Sequence, residues 1–152
     1  MNLEINAIIT KVLNGTILAV KSVLPFSLDI QKPSLIRQPF EQESISVLIG
    51  MTGDIRGRLI IEGTNGCMSK IGESMFGMPL EGEMLESFAA ELGNMLAGNV
   101  ATSLAREDTI MDITPPTVIV GKTKMYGFNE AIHIPISMDG AGTIHIILMM
   151  EM

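Results

Sequence analysis

Two stretches of this sequence are built alike. Val47-Leu48-Ile49 followed by Gly57-Arg58-Leu59-Ile60-Ile61 corresponds, 85 residues later, to Ile132-His133-Ile134 followed by Gly142-Thr143-Ile144-His145-Ile146. Each is a pair of β-branched runs around a glycine-rich turn, Gly50 to Gly57 in one and Asp139-Gly140-Ala141-Gly142 in the other, which is the pattern of an antiparallel hairpin. Each hairpin also follows a long helical segment, and the two helices align at a shift of 80. A duplicated unit of helix plus β-hairpin leaves a simple arrangement: four or more strands join one antiparallel sheet, and the two long helices cover it. The expected class is α+β, one domain over residues 1–152 with halves of about 1–78 and 79–152.

Within the first half, Ile5, Ile8, Ile9, Val12, Leu13, Ile17 and Val20 recur at three- and four-residue intervals and predict an amphipathic helix from Asn2 to Val23. Pro25, Pro33 and Pro39 divide the linker that runs to Phe40, leaving room for a short edge strand and for no long helix. Ile45 to Ile49 and Leu59 to Ile61 make the first hairpin. Thr64 or Asn65 caps a shorter helix through Met68, Ile71 and Met75, closed by Gly77 and Pro79. A third helix runs from near Glu81 to about Leu104, with Glu81 and Glu83 suiting its N-terminus. Asp112-Ile113-Thr114-Pro115-Pro116 cannot continue a helix and leads into a strand, Thr117 to Val120. The last hairpin is Ala131 to Ser137 with Thr143 to Met150. That final strand is strongly apolar, and as a free edge it would invite aggregation, so it is expected to pair with a second copy of the chain.

Composition excludes several tasks. Ten Lys and Arg against seventeen Asp and Glu give a net charge of −7, which argues against binding a nucleic-acid backbone. Cys67 stands alone and cannot form an internal bridge, which fits a cytoplasmic setting. Lys11 and Lys21 interrupt the apolar run from Met1 to Phe26, so neither a signal peptide nor a membrane span is expected. Gly121-Lys122-Thr123 looks like the end of a phosphate-binding loop, but Pro116 stands where that loop needs glycine. His133 and His145 both lie in expected strands without a Cys or carboxylate at ligand spacing, so packing or surface roles are expected and no metal site. Cys67 sits at a helix start, a place that lowers a thiol's pKa, yet without a partner histidine it reads as an incidental small residue. Met68, Met75, Met84 and Met95, at helical spacing, read as core filler.

The third helix carries the chemistry. At about 100° per residue, Met84, Phe88, Leu92, Met95 and Asn99 share one stripe, while Ser87, Glu91, Asn94 and Gly98 fall together in an adjoining arc. A carboxylate and a carboxamide at i and i+3 can address one atom group together. Asn94 is neither acid nor base near neutral pH and can orient a water by hydrogen bonding; Glu91 can serve as a base or pair with a cation. Gly93 and Gly98 each lower helix propensity by about 1 kcal/mol relative to Ala, which fits close approach of another backbone, from the sheet or from a docking protein. A solvated polar face is the plainer alternative. In the first helix the matching register gives Lys11 and Asn14, so the amide is kept and the carboxylate is not.

These residues resemble the CheC, CheX and FliY phosphatases of bacterial chemotaxis, CheX most closely. In that family the active helix carries a small or acidic residue, then Glu, then Asn, and a proline further on; here these are Ser87, Glu91, Asn94 and Pro115-Pro116. Glu91-Leu92-Gly93-Asn94-Met95-Leu96-Ala97-Gly98 and Asp112-Ile113-Thr114-Pro115-Pro116-Thr117-Val118 both look CheX-like. The resemblance implies a CheC-like fold and hydrolysis of the aspartyl phosphate on a CheY-type receiver domain. It implies that Asn94 positions the attacking water and that Glu91 pairs with the receiver's active-site lysine, with Ser87 and Gly98 in the partner-binding face. It implies no cofactor of the chain's own, the receiver supplying magnesium, and a homodimer joined through a sheet edge. Lys11 would repel the same lysine, which implies one site per chain. The rival is a scaffold of the flagellar-switch kind, in which the same helix binds a receiver without hydrolysis.

Overall fold

The computed structural model describes residues 3–151. Met1, Asn2 and Met152 lie outside the described residues, as do the side chains of Leu3, Glu4, Ile5 and Asn6. Helix α1 (Leu3–Val23) leads into three short strands, β1 (Leu28–Ile30), β2 (Ser34–Arg37) and β3 (Phe40–Gln42), where one short edge strand was expected. The first hairpin is β4 (Ile45–Gly53) with β5 (Gly57–Gly63), followed by α2 (Asn65–Phe76) and α3 (Gly82–Ala105). Then come β6 (Met111–Ile113), β7 (Thr117–Val120), β8 (Thr123–Met125) and the second hairpin, β9 (Glu130–Met138) with β10 (Gly142–Met150).

Local chemistry sets these limits. Thr64 caps α2 by accepting a hydrogen bond from the Cys67 amide at 3.1 Å, and Gly77 closes the helix in the left-handed conformation (φ 76°). Pro115 and Pro116 separate β6 from β7 without forming part of either.

The large sheet is antiparallel, in the order β1-β9-β10-β5-β4-β6, with β2 also on β9 and β7 also on β4. β10 and β5 lie side by side at its centre, and Ile146 pairs with Ile61, its own counterpart under the shift of 85. A second ribbon, β3 with β8, pairs Glu41 with Lys124. The duplication therefore extends beyond helix plus hairpin: β1, β2 and β3 are matched by β6, β7 and β8 at a shift of 83. The sequence carries it, since Leu28-Asp29-Ile30-Gln31-Lys32-Pro33-Ser34-Leu35-Ile36 parallels Met111-Asp112-Ile113-Thr114-Pro115-Pro116-Thr117-Val118-Ile119. Even loop bonds repeat, with Gln31 N–H on Pro135 O and Thr114 N–H on Gly50 O, both at 3.0 Å.

α1 and α3 cover one face of the sheet and enclose the main core, including Val12, Val20, Leu92, Leu96, Ile49, Ile61, Ile134 and Ile146. The β3–β8 ribbon covers part of the other face, closing Phe40 and Met125 over Ile60, Ile147 and Met149. This corrects the expectation for Thr143 to Met150. β10 is central, and Ile146, Ile147, Leu148 and Met149 are all buried. It is apolar because both its faces are covered, as in any strand buried on two sides, and not because it waits for another subunit. The sheet's outer strands are β1 and β2 on one side and β6 and β7 on the other.

Candidate functional site on the third helix

α3 is held down along one side by Leu85, Phe88, Ala89, Leu92, Leu96 and Val100. Gly93 permits the fit: a Cβ there would stand 2.7 Å from Val47 Cγ1, so the glycine lets the helix settle onto β4. Gly98 is different. A Cβ there would meet nothing within 4 Å, so its missing side chain leaves an open place on the outer surface. Of the two roles expected for these glycines, Gly93 takes the one toward the sheet.

Ser87, Glu91 and Asn94 are exposed on that outer surface beside half-buried Gly98. Among the described residues, neither Glu91 nor Asn94 has a hydrogen-bond or ion-pair partner. Polar neighbours on the same helix are engaged: Asn99 Nδ2 donates to Met95 O at 2.9 Å, and Thr102 Oγ1 donates to Gly98 O at 3.0 Å. A carboxylate and an amide one turn apart thus stand free on a helix that is packed rigidly from behind.

The apolar stripe falls differently from the sequence expectation. Met84 is 55% exposed, Met95 is half-buried and Asn99 is exposed. Met84 lies seven residues before Glu91, close to two full turns, so it belongs to the Glu91 face and not to the core filler. Its spacing from Glu91 was the available signal, masked by its apolar character.

On the corresponding face of α1 the lysine is engaged within the chain. Lys11 Nζ donates to Glu107 O and Thr109 Oγ1, each at 3.3 Å, tying α1 to the chain just after α3. Asn14 is exposed, and Leu18, 57% exposed, stands where α3 has Gly98.

The remaining candidates settle elsewhere. Cys67 is buried, and burial, with Glu62 adding to it and Lys70 opposing, pushes its thiol up to about 11, so its place at a helix start does not activate it. His133 and His145 meet across β9 and β10, with Nε2 of one 2.8 Å from Nδ1 of the other and the rings stacked. Burial lowers both pKa values. The sequence did not reveal this meeting, because it depends on the hairpin register. Among the described residues no group of three or more His, Cys, Asp or Glu is placed to hold a metal ion, and no helix is long and apolar enough to cross a membrane. A cavity of about 570 Å³, lined by residues such as Leu35, Arg58, Phe128 and Met149, takes none from α3.

The sequence profile described as "Chemotaxis phosphatase CheX" matches residues 45–137, more than half of the chain. The chain belongs to this CheX family. A curated relative from Thermotoga maritima, named CheY-P phosphatase CheX, is 34% identical over 124 residues, 78% of this chain and 79% of the relative. A CheC-like superfamily protein from Shewanella sp. PV-4 superposes with a TM-score of 0.79 at 26% identity, each chain covered completely. The CheX of a CheX–CheY–BeF3–Mg complex from Borrelia burgdorferi superposes with a TM-score of 0.77 at 22% identity, over 95% of this chain and 97% of that one, which establishes the shared fold.

Proposed function

We propose that this CheX-family chain is a cytoplasmic phosphatase that hydrolyses the aspartyl phosphate of a CheY-type receiver domain, using Glu91 and Asn94. The observation that carries the reading is the pair itself: unpartnered among the described residues, exposed and one turn apart on a helix packed onto the sheet. The Borrelia CheX is one that was captured with CheY, BeF3 and Mg, and the Thermotoga relative is named for CheY-P.

The chemistry asks little of such a helix. An acyl phosphate is already reactive, and the receiver brings its own magnesium and acidic pocket, so the visiting protein supplies mainly orientation. The Asn94 carboxamide accepts a hydrogen bond from a water and holds it in line with the phosphorus. The water oxygen bonds to phosphorus as the aspartyl oxygen leaves, giving inorganic phosphate and a free receiver carboxylate. Glu91 docks the helix by accepting a charge-assisted hydrogen bond from the receiver's lysine. Ser87 and Gly98 flank the pair and leave room for the partner. Two copies of the chain pair through the sheet's outer strands, and sedimentation at micromolar concentration checks this: a monomer rejects it.

Phosphate release from phosphorylated receivers tests the assignment. Asn94→Ala is expected to lower kcat by about 100-fold or more while receiver binding persists, and Glu91→Ala to weaken both binding and turnover. Unchanged rates in both variants overturn it; receiver binding without turnover in the wild type establishes a scaffold instead.

A further inference from the structure

The elbow between α2 and α3 exposes three large apolar side chains close together in the chain: Phe76 (58% exposed), Met78 (50%) and Met84 (55%). Two of them are anchored to α3. The Phe76 ring meets Phe88 edge-on, with centroids 5.8 Å apart, and Phe88 is buried in the core. Met84 lies one turn before Phe88 on α3 and two turns before Glu91, on the Glu91 face. Ser69 Oγ donates to Leu80 O at 2.8 Å, fixing the connecting loop to α2, and a Cβ at Gly72 would overlap the Leu80 side chain. The elbow thus forms an apolar lip running into the line Met84-Ser87-Glu91.

Its surroundings are of one sign. Glu73, Glu81, Glu83 and Glu86 surround these residues in sequence, and no Lys or Arg occurs between Lys70 and Arg106. The first three of these carboxylates are exposed and the fourth half-buried. With a net charge of −7, the chain has no overall attraction for the acidic phosphorylation pocket of a receiver. Productive binding therefore needs local contacts with complementary chemistry next to that pocket.

We propose that the α2–α3 lip is a specificity contact for the receiver: Phe76, Met78 and Met84, inside their acidic rim, fit an apolar patch edged with Lys or Arg beside the receiver's phosphorylation pocket. The proposal rests on the functional reading above and adds which receivers the chain selects. Methionine suits the role because its flexible thioether adapts to a partner's surface, and central apolar anchors carry a large share of interface energy.

The test compares Met78→Gln/Met84→Gln and Glu81→Gln/Glu83→Gln with wild type, using CheY-type receivers activated by beryllofluoride for binding and phosphorylated for turnover. The methionine pair is expected to raise Kd and KM about tenfold with kcat unchanged. The glutamate pair is expected to raise KM a few-fold at low salt and to flatten its rise with NaCl. Met84→Leu retains wild-type affinity. Matching melting temperatures confirm that the variants are folded. Wild-type Kd and KM in both double variants overturn the lip, while dependence on Glu91 and Asn94 in the same assays leaves the functional reading standing. If no receiver binds the wild type at 100 µM, both readings fall. A change in self-association of the methionine variant, without a change in receiver affinity, reassigns the lip to contact between copies of the chain.

Discussion

α1 and α3 are counterparts on the same face of the same sheet, yet their polar faces have opposite fates. Under the shift of 80, Lys11, Asn14 and Leu18 of α1 stand where α3 has Glu91, Asn94 and Gly98. In α1 the ammonium is spent on Glu107 O and Thr109 Oγ1, inside its own chain, and Leu18 occupies the surface beside the amide. In α3 the carboxylate and amide have no partner among the described residues, and the glycine leaves the surface open. One helix became a brace between the halves and the other stayed available. Asn14 is thus an amide with a lysine where α3 has Glu91 and an exposed leucine where α3 has Gly98.

The sharpest way to break this comparison is to give α3 the feature that closes α1. Gly98→Leu places on α3 the residue found at Leu18. A Cβ at Gly98 meets nothing within 4 Å, so the first carbon of the side chain has open space, and replacing a helical glycine removes a propensity penalty approaching 1 kcal/mol. Thermal unfolding is expected to shift upward by about 2–4 °C. If Gly98 lies in the proposed docking face, receiver affinity is expected to fall by at least tenfold, since the leucine would occupy it. A stabilised variant that binds and turns over as well as wild type removes Gly98 from the partner surface.

A smaller effect follows from loosening the brace. Lys11→Met keeps the apolar stem and deletes the hydrogen bonds to Glu107 O and Thr109 Oγ1. Both are long at 3.3 Å and one is exposed, so the expected loss is about 0.5–1 kcal/mol, read as a drop of about 1–4 °C in Tm. Phosphate release per folded molecule is expected to stay at the wild-type level. A large fall in turnover in this variant means that α1 belongs to the reactive surface, and the division of labour between the helices is wrong.

Much of this was legible in the sequence, and the rest was hidden for identifiable reasons. The bounds of α2 and α3 follow from Thr64, Gly77, Pro79 and Glu81, whose effects are local. The two hairpins follow from β-branched runs around glycine. The place of β10 does not, because apolarity on both faces is shared by a strand buried in mid-sheet and one awaiting a partner, and only the pairing order separates them. The repeat of β1–β3 in β6–β8 was present in Leu28-Asp29-Ile30 and Met111-Asp112-Ile113, but it runs at a shift of 83 instead of 85 and its strands have three or four residues. Met84 was assigned by its hydrophobicity when its angle placed it with Glu91. Neither the meeting of His133 with His145 nor the occupation of Lys11 follows from spacing, since both need contacts between distant segments.

The finest test concerns the sheet face opposite α3, where His145 on β10 pairs with Glu62 on β5 and His133 lies beside Ser34 on β2. Burial raises the Glu62 pKa above its ordinary 4.5, with Glu43 adding to the effect, while burial lowers both histidines below 6.5. The signs follow by linkage. The folded state holds the Glu62 proton more tightly than the unfolded chain, so stability from this group is full below pH 4.5 and is lost as pH rises through the folded value. For the histidines the unfolded chain binds protons more tightly, so their stability is full above pH 6.5 and is lost as pH falls through the folded values. Glu62→Gln is thus expected to raise Tm by about 1–3 °C at pH 7–8, with the gain shrinking toward pH 4, and His145→Gln to make the decline in Tm below pH 6.5 shallower. Phosphate release should be unaffected by either change, because the α3 face and this face lie on opposite sides of the sheet. A Glu62→Gln gain that is the same at pH 4 and pH 8 would show that the effect is packing, and that the carboxylate's charge on this side of the sheet carries no cost.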